Sequence, residues 1–351
     1  MNKEAVVKKV RIIMILVAVT CFIIFPPWSI AWAWIQPLPE TVQEQVDAAT
    51  DHGLDGIIVY IDQAGNEPES YAAGWSDREQ EILMSPDNLF RIASISKLYI
   101  AAAAVKLVAA DSLSLDKTLA EYLPELENRI EFADQITLRM MIQHRSGIMN
   151  FTDSPNMEWG KTYENPDEHL QLILDEPAAF EPGSNYGYSN TNYLLLGKIM
   201  DRVLGYSHHH FIQDEILTPL ALTDTYYWFS EVENPDRLSN GYIVGYDGND
   251  VIELDHITPG GNMIATAEDV GIFLRAMVDG TLFSEKEQVL YSWVYVFEHT
   301  GLVPGYQSWA TYSQELDAIV VQFVNTSVGY SWGISNIIHN RIFEILEERR
   351  Q

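Results

Sequence analysis

Cysteine is almost absent from this chain of 351 residues: Cys21 is the only one. Beyond it there can be no disulfide, no Cys-x-x-Cys redox pair, no cysteine nucleophile and no cysteine-built zinc site. Base is scarce as well. Lysine and arginine number 21 against 50 aspartates and glutamates, a formal charge of −29 at pH 7. Four of the bases, Lys3, Lys8, Lys9 and Arg11, fall in the first 33 residues. From Trp34 onward the chain carries 17 bases against 49 acids, a formal −32. Such a surface repels phosphate backbones and anionic headgroups, so nucleic acid is not an expected partner. With 47% hydrophobic and 20% charged residues the composition is that of a folded protein, and no internal repeat or low-complexity tract interrupts it.

The N-terminal bases lead into Ile12–Phe25, a 14-residue apolar run that Pro26-Pro27 break. This is the charged region and apolar core of an export signal, with Ala31-Trp32-Ala33 as a cleavage site. Continued through Ile35 the segment is 24 residues. As a helix that is about 36 Å, enough to cross a bilayer, with Trp28, Trp32 and Trp34 as an interfacial belt and the basic end cytoplasmic. Residues 1–35 are therefore expected to be a signal peptide or a membrane anchor, with no other membrane contact. The rest is expected to be exported, to the periplasm or the cell surface. Cys21 is a poor lipidation site, because Ala18-Val19-Thr20 precede it and Phe22–Phe25 continue the run.

Gly56–Ile61 (GIIVYI) reads as a strand, with Ser70–Trp75 as its hairpin partner. Ser94–Ala110 is Ala-rich and apolar at helical spacing, the pattern of a buried helix. Helical patterns follow at 136–143, 167–176, 191–204, 208–216 and 267–278, with a hairpin around Asp247-Gly248 between Tyr242 and Leu254. Strands return at 293–298, 306–312 and 318–324, before an amphipathic helix at 333–348. Strands at both ends with helices between them predict an α/β (α+β) fold. Its sheet domain would comprise 36–110 plus 287–351, with 111–286 as a helical insertion.

Three clusters carry chemistry. Ser94 and Lys97 stand three apart at the start of the apolar helix, so they project from one face. A serine hydroxyl needs a base, and a buried lysine becomes one when desolvation lowers its pKa. The same Ser-x-x-Lys spacing recurs at Ser114–Lys117, in a polar loop. Tyr188-x-Asn190 follows the Pro182-Gly183 turn and could put a phenol and an amide into a cleft, or leave Asn190 as a helix N-cap; Tyr-x-Asn recurs at Tyr163–Asn165. His299-Thr300-Gly301 closes a strand, where the glycine would let a substrate backbone lie along the edge and His299 and Thr300 donate hydrogen bonds to it. His208-His209-His210 is not a metal set, because consecutive helical residues point about 100° apart; it reads as a solvated helix face.

In this order the three clusters resemble the penicillin-recognising serine hydrolases related to class C β-lactamases, and among them the serine D-alanyl-D-alanine carboxypeptidases, whose third motif is also His-Thr-Gly. His144-Arg145-Ser146-Gly147 is similar to that family's His-Thr-Ser-Gly, Pro219–Thr225 to its Pro-Leu-Gly-Met-x-x-Thr, and Gly260–Asp269 to its Gly-Gly-(Met/Leu)-x-Ser-Thr-x-x-Asp. The resemblance implies an antiparallel five-stranded sheet flanked by helices, a helical insertion forming the cleft, and no metal or cofactor. It implies Ser94 as the acylated nucleophile, Lys97 beside it and Tyr188 as proton shuttle, leaving open whether Lys97 or Tyr188 takes the first proton. Asn190 would hold the substrate amide and Lys97, and the N–H groups of Ser94 and Leu302 would form the oxyanion hole.

The expected activity is that of an exported serine hydrolase working through an acyl-enzyme on a small molecule or peptide, DD-peptidase-like on a peptide or amide such as a cell-wall peptide. An esterase, a D-amino-acid amidase and a non-catalytic muropeptide- or partner-binding homologue are the alternatives. Two departures from the family bear on the choice. Its lactamases carry Lys-Thr-Gly where this chain has the largely neutral His299, which disfavours a strong β-lactamase. Its carboxypeptidases place an arginine shortly before the third motif, and here no arginine stands between Arg275 and Arg341, where the only lysine is Lys286.

Overall fold

The computed structural model describes residues 8–350 apart from 10, 16, 18, 19, 21–27, 162, 164 and 246–257. Two helices lead in, α1 (Trp28–Ile35) and α2 (Val42–Asp51), the latter opened by a capping box between Thr41 and Glu44. The β-branched run forms β1 (Gly56–Gln63), paired with β2 (Glu69–Asp77), whose outer edge takes the two-residue β3 (Ile82–Leu83). After β4 (Phe90–Arg91), a single 3-10 turn at Ala93–Ile95 runs into α3 (Ser96–Ala109). Ala101 to Ala104 are all fully buried, so α3 is covered on every side, as its nearly unbroken apolar sequence requires.

The middle of the chain is helical: α4 (Leu119–Tyr122), α5 (Leu138–Ile142), α6 (Pro166–Gln171), α7 (Asn190–Leu204) and α8 (His208–Ile212). Short strands β5 (Thr225–Tyr226) and β7 (Ile264–Ala265) join β4 in a small sheet, and β6 (Tyr242–Ile243) lies between them in sequence. Helices α9 (Ala267–Val278) and α10 (Glu285–Val294) bring the chain back to β8 (His299–Val303), β9 (Tyr306–Ser313), β10 (Ala318–Val324), β11 (Thr326–Ser327) and α11 (Ser331–Arg349).

The main sheet runs in the order β3-β2-β1-β10-β9-β8 with antiparallel pairing throughout. It holds the five long strands expected plus the short edge strand β3. Strands β1 and β10, from opposite ends of the chain, pair from Ile57 with Val324 to Gln63 with Ala318. Both bury both faces. Ile58, Tyr60 and Phe323 enter the core shared with α3 and α9, while Ile57, Val59, Ile61 and Val320 face α2 and α11. A continuous apolar run is what a strand covered on two sides needs. Arg275 of α9 ties this centre together with ion pairs to Asp62 and Asp317 at 2.9 and 2.8 Å.

Three expectations change. Residues 293–298 are not a strand: Ser284 and Glu287 form a capping box that starts α10, and Tyr291 and Val294 bury one helical face, so β8 begins at His299 and the His-Thr-Gly motif opens a strand instead of closing one. Tyr242–Ile243 pairs in parallel with β11; the Asp247-Gly248 turn lies outside the described residues. The histidine run is not a solvated face either. His208 is buried between Asp201 and Tyr227, each 2.7 Å from one ring nitrogen, and His209 stacks on Tyr227; only His210 is exposed. Among the described residues no helix is long and apolar enough to cross a membrane, and none of the clusters of histidine, cysteine or carboxylate could hold a metal ion. Cys21 lies outside the described residues.

Candidate active site

The turn at the foot of α3 is tied down on three sides. Ile92 N–H donates to Met263 O at 3.0 Å, Ser308 Oγ donates to Ile92 O at 2.9 Å, and Ser96 Oγ donates to Ala93 O at 2.6 Å. These bonds hold Ala93 at φ +50°, a left-handed conformation that costs an alanine roughly 1 kcal/mol. Ser94 is thereby set on the 3-10 turn ahead of the α-helix, facing the cleft between the main sheet and the helical middle. The three-residue spacing does what it predicts: Lys97 Nζ lies 3.1 Å from Ser94 Oγ.

Lys97 is wholly buried, and its hydrogen-bond partners include no carboxylate; desolvation brings its pKa down to about 7. Its other partners are Asn190 Oδ1 at 2.8 Å and Gly260 O at 2.6 Å. Both can only accept, so they claim two of the nitrogen's hydrogens. The remaining position on Nζ faces Ser94 Oγ, as an N–H in the ammonium and as a lone pair in the amine. Tyr188 OH lies 2.7 Å from the same Oγ. Burial pushes the phenol up to about 12, with the Ser94 hydrogen bond pulling the other way, so Tyr188 is protonated at neutral pH. A protonated phenol donating to Ser94 Oγ leaves the serine hydrogen directed at the Lys97 amine.

Asn190 opens α7 but does not cap it. Ser189 is the N-cap, and the Asn190 amide is spent on Lys97 on one side and on Asn150 Oδ1, at 3.2 Å, on the other. His144 anchors the Tyr188 loop: its carbonyl accepts Gly187 N–H at 2.9 Å, its Nδ1 accepts Ser189 N–H at 3.1 Å, and its ring lies 4.5 Å from that of Tyr188. Burial and the neighbouring Lys97 hold it near pKa 3, a neutral acceptor.

Across the cleft, β8 presents the third motif. Burial and Lys97 lower His299 to about 4, so it is neutral at pH 7. Its Nδ1 donates to Thr300 O at 2.5 Å, which leaves the lone pair on Nε2. Gly301 has a different reason from the one expected. A Cβ there would stand 2.3 Å from Ser308 Oγ, 2.5 Å from Ile92 O and 2.9 Å from Ala93 Cβ. Its bare backbone therefore lets β8 press against the Ser94 turn, bringing Leu302 to the wall of the Ser94 cavity. Gly260 acts likewise: a Cβ there would meet Tyr193 at 2.8 Å and Lys97 at 3.2 Å.

All eight residues singled out from sequence thus meet at one cleft. The competing copies of the motifs do not. Ser114 is exposed in a loop where Lys117 lies over the Tyr122 ring, and Asn165 caps α6 through Asp167 N–H. Two cavities open at the cleft. A narrow one of about 60 Å³ beside Ser94 is walled by Phe151, Met157 and Trp159 among others. A groove of about 630 Å³ runs from Tyr188, His299 and Thr300 past Glu298 to Asn336, His339 and Asn340 of α11. Asn150 and the carbonyl of Gly260 were not legible in sequence: nothing local marks an asparagine 40 residues from its partner or one carbonyl among many.

The sequence profile of the family described as Beta-lactamase matches residues 38–332. A Bacillus subtilis (strain 168) protein named a candidate penicillin-binding protein, PbpX, is 24% identical over 317 residues, 84% of this chain and 76% of that one. The mitochondrial serine beta-lactamase-like protein LACTB of Mus musculus is 26% identical over 46% of this chain, and Protein flp of Staphylococcus aureus (strain MW2) is 27% identical over 52%; the matches span 42% and 38% of those two relatives. Among solved structures, D-amino acid amidase from Ochrobactrum anthropi SV3, complexed with L-phenylalanine amide, superposes with a TM-score of 0.79 over 88% of this chain and 98% of that one, at 24% identity. The penicillin-binding protein from Bacillus halodurans superposes with a TM-score of 0.72 over 86% and 99%, at 21% identity. These two share the fold.

Proposed function

The chain belongs to the Beta-lactamase family and is a serine hydrolase; from that premise we propose that it hydrolyses small amides and esters of D-amino acids that lack a free carboxylate, through an acyl-enzyme on Ser94. The charge of the groove carries this reading. No lysine or arginine stands among the described residues that line the groove or the Ser94 cavity, and Glu298 opens into the groove. Lys286 is turned away, its ammonium donating to Ala109 O at 2.6 Å. A substrate carboxylate would lie beside the Glu298 carboxylate with no cationic partner to offset the repulsion. A substrate ammonium would find a partner in Glu298. The D configuration is supported by the neighbour named D-amino acid amidase.

In this reading Ser94 Oγ attacks the carbonyl carbon while the neutral amine of Lys97 takes its proton. The oxyanion is held by the N–H groups of Ser94 and Leu302. The bond to the leaving group breaks as Tyr188 gives it a proton, and Lys97 returns its own to Tyr188. Water then attacks the acyl-enzyme, losing a proton to the same pair, and Ser94 Oγ departs with one. The reaction takes place outside the cytoplasm, a placement supported by the four bases that lead into Ile12–Phe25.

The test uses purified protein and the Ser94→Ala variant with D-phenylalanine amide and with N-acetyl-D-alanyl-D-alanine. Ser94-dependent ammonia release at least tenfold faster than D-alanine release is the expected result. Preference for the dipeptide would overturn the substrate class and restore a D-alanyl-D-alanine carboxypeptidase acting on cell-wall peptide, the activity that His-Thr-Gly favours. Turnover of neither, with binding retained, would leave a non-catalytic homologue.

A further inference from the structure

Helix α1 carries the proposed export cleavage site, yet it is part of the folded body. Ile30 packs on the core between the sheet and α11, close to Gly333, and Ala33 is 3% exposed. Just beyond, the buried Arg341 of α11 donates to Gln36 O at 2.9 Å and Pro37 O at 2.5 Å, with its Nε on Gln45 Oε1 at 2.6 Å. Cutting after Ala33 would remove Ile30 and Ala33 from that core. The opposite face of α1 is uncovered: Trp32 and Ile35, one helical turn apart, are 59% and 61% exposed. Trp34, about 100° round the helix from Ile35, is 72% exposed.

We propose that α1 is retained in the mature protein and that its Trp32 and Ile35 face sits in the interface of a lipid bilayer. Three observations select lipid over other occupants. Tryptophan and tyrosine, apolar bodies with one polar atom, are the side chains favoured at headgroup depth. The chain leading into α1 is the apolar run Ile12–Phe25 with four bases at its far end. Ile12, Ile13, Met14, Ile15 and Val17 within it are each more than half exposed, so they are not covered by the rest of this protein.

Two measurements on the full chain test this without using catalysis. The N-terminus of the protein recovered from membranes of an expressing bacterium is read by intact mass; retention of residues upstream of Trp28 is expected, and cleavage after Ala33 overturns the proposal. Separately, Ile35→Cys in a Cys21→Ser background is labelled with an environment-sensitive fluorophore and reconstituted in phosphatidylcholine vesicles, with Ser112→Cys as the exposed reference. The expected result is a blue shift at position 35, quenched by headgroup nitroxide lipid, and none at 112. Water-like, unquenched emission at 35 overturns the proposal. So does a blue shift that appears without vesicles and grows with protein concentration, which would make a second copy of the chain the occupant.

Discussion

Replacing Gly301 by alanine tests how the cleft is assembled. The added Cβ would stand 2.5 Å from Ile92 O and 2.9 Å from Ala93 Cβ, against about 3.4 Å for an ordinary contact, so β8 and the Ser94 turn must separate by about 1 Å. Misplacement of that size costs on the order of 10²-fold in rate, or about 2.7 kcal/mol of transition-state stabilisation, and loss of one oxyanion donor costs as much or more. Overpacking costs about 1–3 kcal/mol of stability, a fall in Tm of a few °C. The protein should therefore stay folded while kcat/KM for a p-nitrophenyl ester falls about 10²-fold. Adding Ser308→Ala removes the third contact, 2.3 Å from Ser308 Oγ, but not the two from the turn itself, so activity should not return. Native kcat/KM within threefold in Gly301→Ala, with a lowered Tm showing that strain was felt, would refute the argument that this glycine sets the distance from Leu302 to Ser94.

Because burial brings Lys97 to about 7, kcat/KM should rise as pH rises through about 7 and level above it, the ammonium being unable to take the serine proton; a flat profile from pH 5.5 to 8.5 would remove Lys97 as the base. Tyr188→Phe should cost about 10²–10³-fold on an amide but less than tenfold on a p-nitrophenyl ester, whose leaving group departs without a proton; equal losses would contradict Tyr188 as the donor. Benzylpenicillin, which carries a carboxylate, should give no persistent adduct by intact mass, and a Ser94-dependent adduct would show that the groove tolerates that charge. Burial raises Asp269 to about 6, above the ~3.9 of an unfolded carboxyl. The folded state therefore holds the extra proton between those values, and stability should fall as pH rises from about 4 to about 6, by roughly 2–3 kcal/mol in denaturant titrations. Asp269→Asn should flatten that slope; an unchanged slope would place the titration elsewhere.

Local pattern alone located the elements that have one geometric solution. GIIVYI and AIVVQFV became the two central strands because a run apolar on both faces can only lie between two layers. The Ala-rich stretch after Ser94 became a helix buried all round for the same reason. The 293–298 segment failed because aromatic and β-branched residues suit a strand or a buried helical face equally, and the capping box at Ser284 decides between them. The histidine run failed because direction along a helix is local while burial depends on Tyr227 and Trp228, roughly twenty residues on.

The same division runs through the cleft. Spacing along the chain determined that Ser94 and Lys97 share a face, since three residues make nearly one helical turn, but it determined this equally for Ser114 and Lys117. Only the tertiary structure chose between the pairs. It brought Tyr188 from 94 residues away and the Gly260 carbonyl from 163 residues away onto one of them, and removed that lysine from water. A lysine becomes a base at neutral pH when desolvation outweighs what its hydrogen bonds return, and desolvation is a sum over every segment packed around it. Helix geometry can be read from neighbours in sequence; the dielectric surroundings of Lys97 exist only once the chain has closed.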